Sequence, residues 1–359
     1  MVAADRPNLT PSPGRTTVSG MAITQKDIAL RLKVSRQLVG LALTNHPSVA
    51  EATRKRIHEV AAELGYTAFA NPAARALIAR RYGRRAPTGI VAALLPSDAG
   101  VMRTMPFFAP YIDGLELEAF DRAYDLLFCL KRGEELPRLI ANHGVDGVIV
   151  VNEGVAQVGD RLHVLGIPAV TLSLETPKMH CVLPDEAAGI RLAVEHLVAL
   201  GHRRIAYLGV APAHSAGKRR LDSFKESMRD AGLTVDPRWI EASHVDQSFE
   251  AAMAAWDRLA PRVAEATAVV CYNDLTAEGL VRRARATGID VPGRLSVTGF
   301  DDTSVSDGSD MPITSIAYDR TAMGRVAVGM LFEESRKPRR EVFPVTLVER
   351  GSTRSPGSG

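Results

Sequence analysis

Two hydrophobic patterns divide the chain at about Pro87. Before this residue, apolar side chains recur at helical spacing in three short stretches. These stretches cover 25–32, 35–43 and 51–64. Thr24 and Ser35 stand where N-cap residues belong, and Gly65 suits the position that follows a helix. Because only a short turn separates the first two stretches, the pattern predicts a helix-turn-helix unit.

After Pro87, short apolar runs alternate with amphipathic helical patterns. The strand-like runs cover 89–95, 125–130, 145–151, 168–172, 204–208, 268–271 and 295–300. The helical patterns cover 111–123, 134–142, 189–200, 217–231, 249–259 and 275–286. This alternation is typical of α/β proteins with parallel sheets. Since the stretch is too long for one small sheet, we expect two doubly wound subdomains with a cleft at the C-terminal ends of their strands.

Composition adds a charge asymmetry to this picture. Apolar residues form 46% and charged residues 24% of the 359 residues, which excludes a disordered or collagen-like chain. No apolar run reaches the ~18 residues of a membrane helix. Residues 22–86 hold twelve Lys and Arg against four Asp and Glu, whereas the whole chain carries a formal charge of only +3. The body is therefore acidic, and the basic segment indicates an anionic partner.

The ends and the cysteines indicate a cytoplasmic protein. Residues 1–21 and 353–359 are rich in small and polar residues, and we expect disordered tails there. The first tail lacks the apolar core of a secretion signal, and three cysteines fit buried, reduced thiols. Zinc motifs, glycine-rich phosphate loops and nucleophile elbows are absent from the sequence. It therefore predicts no metal, no cofactor and no catalytic residue.

The second predicted helix has an outward face suited to reading DNA. Arg36, Gln37, Gly40 and Leu41 share this face. Arg can donate a fork to guanine, Gln can pair with adenine, and a Leu side chain can touch a thymine methyl group. The alternative is a three-helix packing module with a solvated polar face.

Motifs in both parts resemble the lactose/galactose-repressor-type (LacI/GalR) family of transcriptional regulators. In the basic segment the matching stretches are ITQKDIA at 23–29, and then 34–35, 51–54 and 63–66. In the body they are 189–197, 200–206, 273–274, 291–292, VTGFDD at 297–302, 313–316 and 347–352. The resemblance implies a helix-turn-helix domain at 22–68 and a hinge helix with a linker at 69–87. It also implies a periplasmic-binding-protein-like domain at 88–352 for effector binding and dimerisation.

The resemblance also implies specific DNA contacts. The residues at the matching positions are Thr24, Ser35, Arg36, Gln37, Leu41, Thr53 and Arg54, together with Leu77. In this family the hinge leucine wedges into the minor groove, and such a wedge costs a few kcal/mol that contacts to bent DNA repay. The chain departs from the family at Lys33, at 38–41 and at Ala50. These departures put the operator sequence in question more than the fold.

Polar residues near the predicted cleft are candidates for effector binding. Asn273 and Asp301 each follow a predicted strand, and the resemblance places an effector-binding arginine at Arg220. Together they offer directional hydrogen bonds to a hydroxyl-rich ligand. The alternative is that they cap helices and turns. We expect the other wall to include Asp98, Phe107, Phe108 and Tyr318, although the two phenylalanines also suit a core, and we expect a structural role for His202.

The sequence therefore predicts a DNA-binding transcriptional regulator, most simply a repressor that releases DNA when a sugar or sugar derivative binds. A nucleoside or purine is the next candidate effector, and corepression is the same coupling with the opposite sign. The resemblance implies a homodimer on a near-palindromic operator. Two other classes remain open: a sugar-binding receptor of the transport class, and an enzyme with an appended DNA-binding head.

Overall fold

The computed structural model describes residues 24–43, 48–64, 66, 87–96, 105–131, 135–151, 158–212, 215–244, 248–303, 311–333 and 337–357. The chain forms two compact units, 1–86 and 87–359, called here the head and the body. Several predictions lie outside the described residues. They are the N-terminal tail, Gly65, the hinge helix with Leu77, most of the linker, and Asp98.

The head contains three short helices, as the pattern predicts. They are α1 (Gln25–Leu32), α2 (Arg36–Leu43) and α3 (Glu51–Glu63). One apolar residue from each helix is almost fully buried, and Ile28, Val39 and Ile57 meet in a single core. At the start of α2, the Ser35 hydroxyl accepts a hydrogen bond from the Leu38 amide at 3.1 Å. Ser35 therefore serves as the N-cap of the second helix.

The first lobe of the body is built on a six-stranded parallel sheet. Its strands are β1 (Ile90–Pro96), β2 (Asp125–Lys131), β3 (Gly147–Val151), β4 (Ala169–Leu172), β5 (His180–Pro184) and β11 (Arg340–Phe343), in the order β11-β5-β4-β3-β1-β2. Its helices are α4 (Met105–Asp121), α5 (Arg138–Ala141), α6 (Val158–Val164) and α11 (Arg320–Leu331). We call this part the N-lobe.

The second part, the C-lobe, has a four-stranded parallel sheet. Its strands are β6 (Ile205–Val210), β7 (Ile240–His244), β8 (Ala268–Cys271) and β9 (Ser296–Thr298), in the order β7-β6-β8-β9. Its helices are α7 (Glu186–Ala199), α8 (Ser215–Asp230), α9 (Phe249–Leu259) and α10 (Asp274–Ala286). A small antiparallel pair, β10 (Ser315–Ala317) and β12 (Thr346–Val348), lies beside α7.

The chain passes between the lobes three times: from β5 to α7, from β10 to α11, and from β11 to β12. The Asp185 amide donates to the Phe343 carbonyl at 2.9 Å, so the first and third crossings are hydrogen-bonded to each other. In the N-lobe, α11 packs closely on α4. A Cβ at Gly114 would clash with the Thr321 carbonyl, and one at Gly324 with the Tyr111 carbonyl. Only glycine permits this backbone approach.

Some predicted boundaries were wrong for identifiable reasons. Helix α4 begins before 111 and contains Pro110, a residue that lacks the N–H of an interior helical position. Helix α5 starts only after Pro137 rather than at 134. The predicted disordered C-terminal tail was wrong at its start. There the Thr353 hydroxyl bonds to His196 at 3.0 Å, and the Arg354 amide donates to the Ser296 hydroxyl at 3.1 Å.

Candidate DNA interface and effector cleft

The head presents a basic surface around the start of α2. Arg36 and Gln37 lie exposed in the first turn of this helix, as predicted from the helical spacing. Further exposed cations flank them on α1 and α3. They are Lys26, Arg31, Lys33, Lys55 and Arg56. A surface of this kind can neutralise DNA phosphates while leaving two long polar side chains free to reach base edges.

Other residues predicted to contact DNA also make hydrogen bonds or packing contacts within the head. The Thr24 amide and hydroxyl both donate to the Asp27 carboxylate at 2.7 Å. Arg54 is half-buried and donates from Nη2 to the Val49 carbonyl at 2.9 Å, while Thr53 lies half-buried beside it. Leu41 differs from the expectation of an outward side chain, because it is half-buried and packs against the head core. A contact between this side chain and a thymine methyl group stays a prediction.

In the body, Arg220 is the centre of a buried polar cluster in the C-lobe. The side chain projects from α8 and is almost completely buried. Its Nε lies 3.2 Å from Glu186 Oε1, its Nη1 donates to the Tyr272 carbonyl at 2.5 Å, and its Nη2 lies 3.3 Å from Asp301 Oδ1. The guanidinium also stacks 3.8 Å from the Phe300 ring centre. Burial alone would lower the pKa of Arg220, but the carboxylates of Asp301 and Glu186 outweigh it and raise the pKa.

Asp301 joins this arginine to Tyr318. The same oxygen, Oδ1, accepts from the Tyr318 hydroxyl at 2.9 Å. Asp301 has φ of 96° and Asp302 has φ of 46°, two consecutive non-glycine residues in the left-handed region. Such strain persists only where the surroundings enforce it, and it clusters at binding sites. The structure thus brings together three of the predicted effector residues: Arg220, Asp301 and Tyr318.

Asn273 is an N-cap residue in the structure. Its Oδ1 accepts from the Thr276 amide at 2.9 Å and from the Thr276 hydroxyl at 2.8 Å, at the start of α10. This is the capping role that the sequence left open as the alternative. Asn273 lies at the C-terminal end of β8, directly after Tyr272, whose carbonyl binds Arg220.

Asp274 was not among the predicted site residues, but it holds the strained loop in place through hydrogen bonds. The side chain is fully buried. Its Oδ2 accepts from the Thr303 amide at 2.7 Å, and its Oδ1 accepts from the Ser315 hydroxyl at 2.5 Å. The Ser315 oxygen in turn accepts from the Asp302 amide at 3.2 Å. Burial and the nearby Asp301 charge raise the pKa of Asp274 to about 7 against the effect of these hydrogen bonds.

The N-lobe side of the cluster is aromatic. Phe108 is buried in the N-lobe core rather than lining a wall, so for this residue the core alternative holds. Phe107 is half-buried and makes edge contacts with Phe108 and Tyr111. The Tyr111 hydroxyl lies 2.9 Å from the Ser173 hydroxyl, and burial raises the pKa of Tyr111 to about 12.

Two further residues complete the surroundings of the cluster. Arg320 donates to the Phe107 carbonyl at 3.3 Å and to the Asp302 carbonyl at 2.9 Å, so it fastens α4 to the strained loop. Neither Arg320 nor Glu186 carried a signal in the sequence, because both act only through distant partners. His202 is structural as expected: it is buried and lies within hydrogen-bond distance of Thr267, Ser296 and the Arg354 carbonyl.

Within the described ranges, no group of three or more His, Cys, Asp or Glu side chains is placed to hold a metal ion. The described helices include none long and apolar enough to cross a membrane.

Two protein-family profiles match the chain. A profile described as bacterial regulatory proteins of the lacI family matches residues 24–68, and one described as a periplasmic binding protein-like domain matches residues 194–353. The first covers the head and the second covers most of the C-lobe together with α11 and β11.

Individual proteins match over nearly the full length. An uncharacterised HTH-type transcriptional regulator from Streptomyces limosus is 31% identical over 91% of this chain and 93% of its own. The HTH-type transcriptional repressor CytR from Escherichia coli strain K12 is 28% identical over 93% of this chain and 97% of its own. A solved structure titled transcriptional regulator CelR-cellobiose complex superposes with a TM-score of 0.68 at 26% identity, covering 92% of this chain and 99% of that one. These relatives are named as regulators, not as enzymes.

Proposed function

The chain belongs to the lacI family of bacterial transcriptional regulators, and we propose that it is a cytoplasmic repressor whose affinity for operator DNA changes when a small molecule binds between the lobes. The Arg220–Asp301–Tyr318 cluster is the observation that carries this proposal. A buried arginine with two carboxylate partners and a strained loop is costly to maintain. A ligand-binding role for the cluster accounts for that cost.

The cluster favours a hydroxyl-bearing effector. Arg220 has five N–H groups and Asp301 has two carboxylate oxygens, so the observed bonds leave each with capacity for further partners. Sugar hydroxyls both donate and accept, which suits this pairing of a donor with an acceptor. The CelR structure holds cellobiose, and we propose a sugar or sugar derivative for this chain by similarity. Asp98 and Leu77 lie outside the described residues, and their roles in effector and DNA binding remain predictions.

We also propose a homodimer, because the N-lobe has an apolar surface at one edge. Strand β2 is the outermost strand of its sheet, and it exposes Leu127, Phe128 and Leu130. Helix α4 adds Leu117 and Phe120, the latter 78% exposed. An exposed apolar edge strand invites pairing with another chain. A second copy would place two heads on one duplex, which suits a near-palindromic operator.

Two assays on the full-length protein test the proposal. The first is retention of fragments from a genomic double-stranded DNA pool at increasing salt, and we expect a few fragments to resist salt that removes the rest. The second is a thermal-shift screen with neutral sugars, sugar phosphates and nucleosides, in which the effector raises the unfolding temperature. Retention that is equal for all fragments, or a screen without a hit, would count against the corresponding half of the proposal.

A further inference from the structure

A series of ion pairs, in which arginines and glutamates alternate, extends from Arg220 to the edge of the C-lobe cluster. Glu186 stands at the start of α7 and is almost fully buried. Its two oxygens bind neighbouring arginines of α8: Oε1 lies 3.2 Å from Arg220 Nε, and Oε2 lies 2.5 Å from Arg219 Nε. One carboxylate therefore couples the positions of both guanidinium groups.

Arg219 extends this series of ion pairs to the N-lobe. Its Nη1 lies 3.7 Å from Oε2 of Glu175, a residue in the connection between β4 and β5. Glu175 also pairs with Arg340 on β11 at 3.2 Å, and that pair lies wholly within the N-lobe. Arg219 is thus a C-lobe cation that is shared between a carboxylate of its own lobe and one of the opposite lobe.

The geometry leaves Arg219 only partly satisfied. Its Nη2 is buried and has no hydrogen-bond partner among the described residues. The distance of 3.7 Å to Glu175 is an ion-pair contact but exceeds a hydrogen bond. Nη1, the nitrogen nearest Glu175, also donates to the Ser215 hydroxyl at 3.1 Å. A closer approach of the two lobes would strengthen the pairing of Arg219 with Glu175 and would offer the unpaired Nη2 an acceptor.

We propose that Arg219 is a latch between the lobes. It favours the closed cleft by pairing with Glu175, and it links closure to the pairing of Arg220 through their shared carboxylate, Glu186. This inference rests on the proposed function only in taking the cleft as the site that opens and closes. Arg219 acts here as a positioning residue, because its described partners are protein side chains.

The expected change in the open-to-closed equilibrium follows from how far the Arg219 and Glu175 side chains are exposed to solvent. Arg219 is 25% exposed and Glu175 is 41% exposed, so solvent screens their attraction. Pairs of this kind change an equilibrium by roughly two- to fivefold. The latch should therefore bias the ratio of closed to open molecules without fixing it, and it should weaken as salt rises.

Pulsed electron spin resonance on the full-length protein tests the latch. Labels at Asn142→Cys on the N-lobe and Glu226→Cys on the C-lobe report the separation of the lobes, since both positions are exposed and the three native thiols are buried. Labelled chains are diluted with unlabelled ones so that distances within one chain dominate. We expect Arg219→Gln and Glu175→Gln each to raise the open-to-closed ratio about two- to fivefold, and the double variant to add little.

Arg340→Gln is the matched control, because it removes the other partner of Glu175 without touching a contact between lobes. It should not raise the open-to-closed ratio, because Glu175 keeps Arg219 as its partner, and about 1 M salt should shift the parent protein towards the Arg219→Gln distribution. An unchanged distribution in both Arg219→Gln and Glu175→Gln, or an equal shift in Arg340→Gln, would overturn the latch. No DNA or ligand is present in this measurement, so failure of the proposed regulation leaves its outcome unaffected.

Discussion

At the scale of single residues, Arg220 stabilises the folded C-lobe through buried contacts that form without any ligand. Glu186 and Asp301 are both almost fully buried, and Arg220 forms an ion pair with each of them, while Glu186 also pairs with Arg219. The side chain also fixes the carbonyl of Tyr272 beside the start of α10. Loss of effector response in an Arg220 variant would therefore have to be separated from loss of the local fold.

The burial of these charges determines how much unfolding free energy the protein loses when Arg220 is removed. Arg220→Ala should lower the unfolding free energy by about 3–5 kcal/mol, since the buried Asp301 carboxylate loses its ion pair and Glu186 keeps only Arg219. Urea unfolding followed by tryptophan fluorescence reports the change, because Trp239 and Trp256 both pack in the C-lobe core. Arg238→Ala breaks a pair in which the arginine is exposed, so it should cost far less. Equal effects of the two substitutions would show that the buried cluster does not depend on its cation.

Asp274 makes the stability of the body depend on pH. Its pKa is raised from 3.8 to about 7 in the folded protein, so the folded state favours the protonated form. The stabilisation is complete below about pH 4 and is lost as the pH rises through about 7. Relative to an Asp274→Asn variant, the parent should lose roughly 1 kcal/mol per pH unit between about pH 5 and 6.5. A stability difference that stays constant over this range would contradict the assignment.

At the scale of elements, α2 is the helix that we propose reads the DNA sequence. Arg36→Ala should reduce discrimination at one base pair by about 1–3 kcal/mol in each half-site, because an arginine fork to guanine is lost. Binding to a retained genomic fragment is compared with binding to its single-base variants and to random duplex. Arg31→Ala, an exposed cation at the end of α1, is the control and should weaken all duplexes alike. The same uniform loss in Arg36→Ala would make this residue a phosphate contact.

The apolar edge formed by α4 and β2 makes a second prediction for an element. Phe120→Glu and Phe128→Glu should each shift the protein from dimer to monomer, because a charge would be buried in the interface. Sedimentation velocity measures the change in mass. Val164→Glu is the control, since Val164 on α6 is 83% exposed and lies outside this surface. A dimer that survives both phenylalanine substitutions would place the interface elsewhere.

Sequence periodicity predicted many, but not all, of the elements that have one clear face or a continuous apolar core. The head helices agree with the structure within a residue or two, and the buried strands β1, β3, β6 and β8 agree closely. Strands β5, β7, β10, β11 and β12 were not predicted. For β11 and β12 the reason is that their residues are half-buried or exposed and carry little apolar signal. Helix α11 was missed since it is buried against both the sheet and α4, which weakens its periodicity.

The candidate site was predicted only where a side chain follows a strand or matches a family motif. Arg220, Asp301 and Tyr318 lie together in the structure, although Tyr318 was expected on the opposite wall, and their role in effector binding stays a prediction. Glu186, Asp274 and Arg320 were not predicted as site residues, because their hydrogen-bond partners in the cluster lie far away in the sequence. Contacts of this range depend on how the lobes pack, which local periodicity does not encode.

At the scale of the whole molecule, regulation requires that the cleft and the head be thermodynamically coupled. The three crossings join the lobes near the polar cluster, and Tyr318 lies in the crossing from β10 to α11. A ligand held by Arg220 and Asp301 in the C-lobe would therefore act directly on the segments that set the angle between the lobes. Reciprocity then demands that operator binding change effector affinity by the same factor.

The most direct test is a fluorescence anisotropy titration of a retained genomic fragment with the full-length protein. It is run with and without a saturating concentration of the ligand found by thermal shift. We predict that the ligand changes the dissociation constant for DNA by roughly 5–150-fold, as expected for a coupling of about 1–3 kcal/mol. Identical titration curves, obtained while the same ligand still raises the unfolding temperature, would contradict the switch.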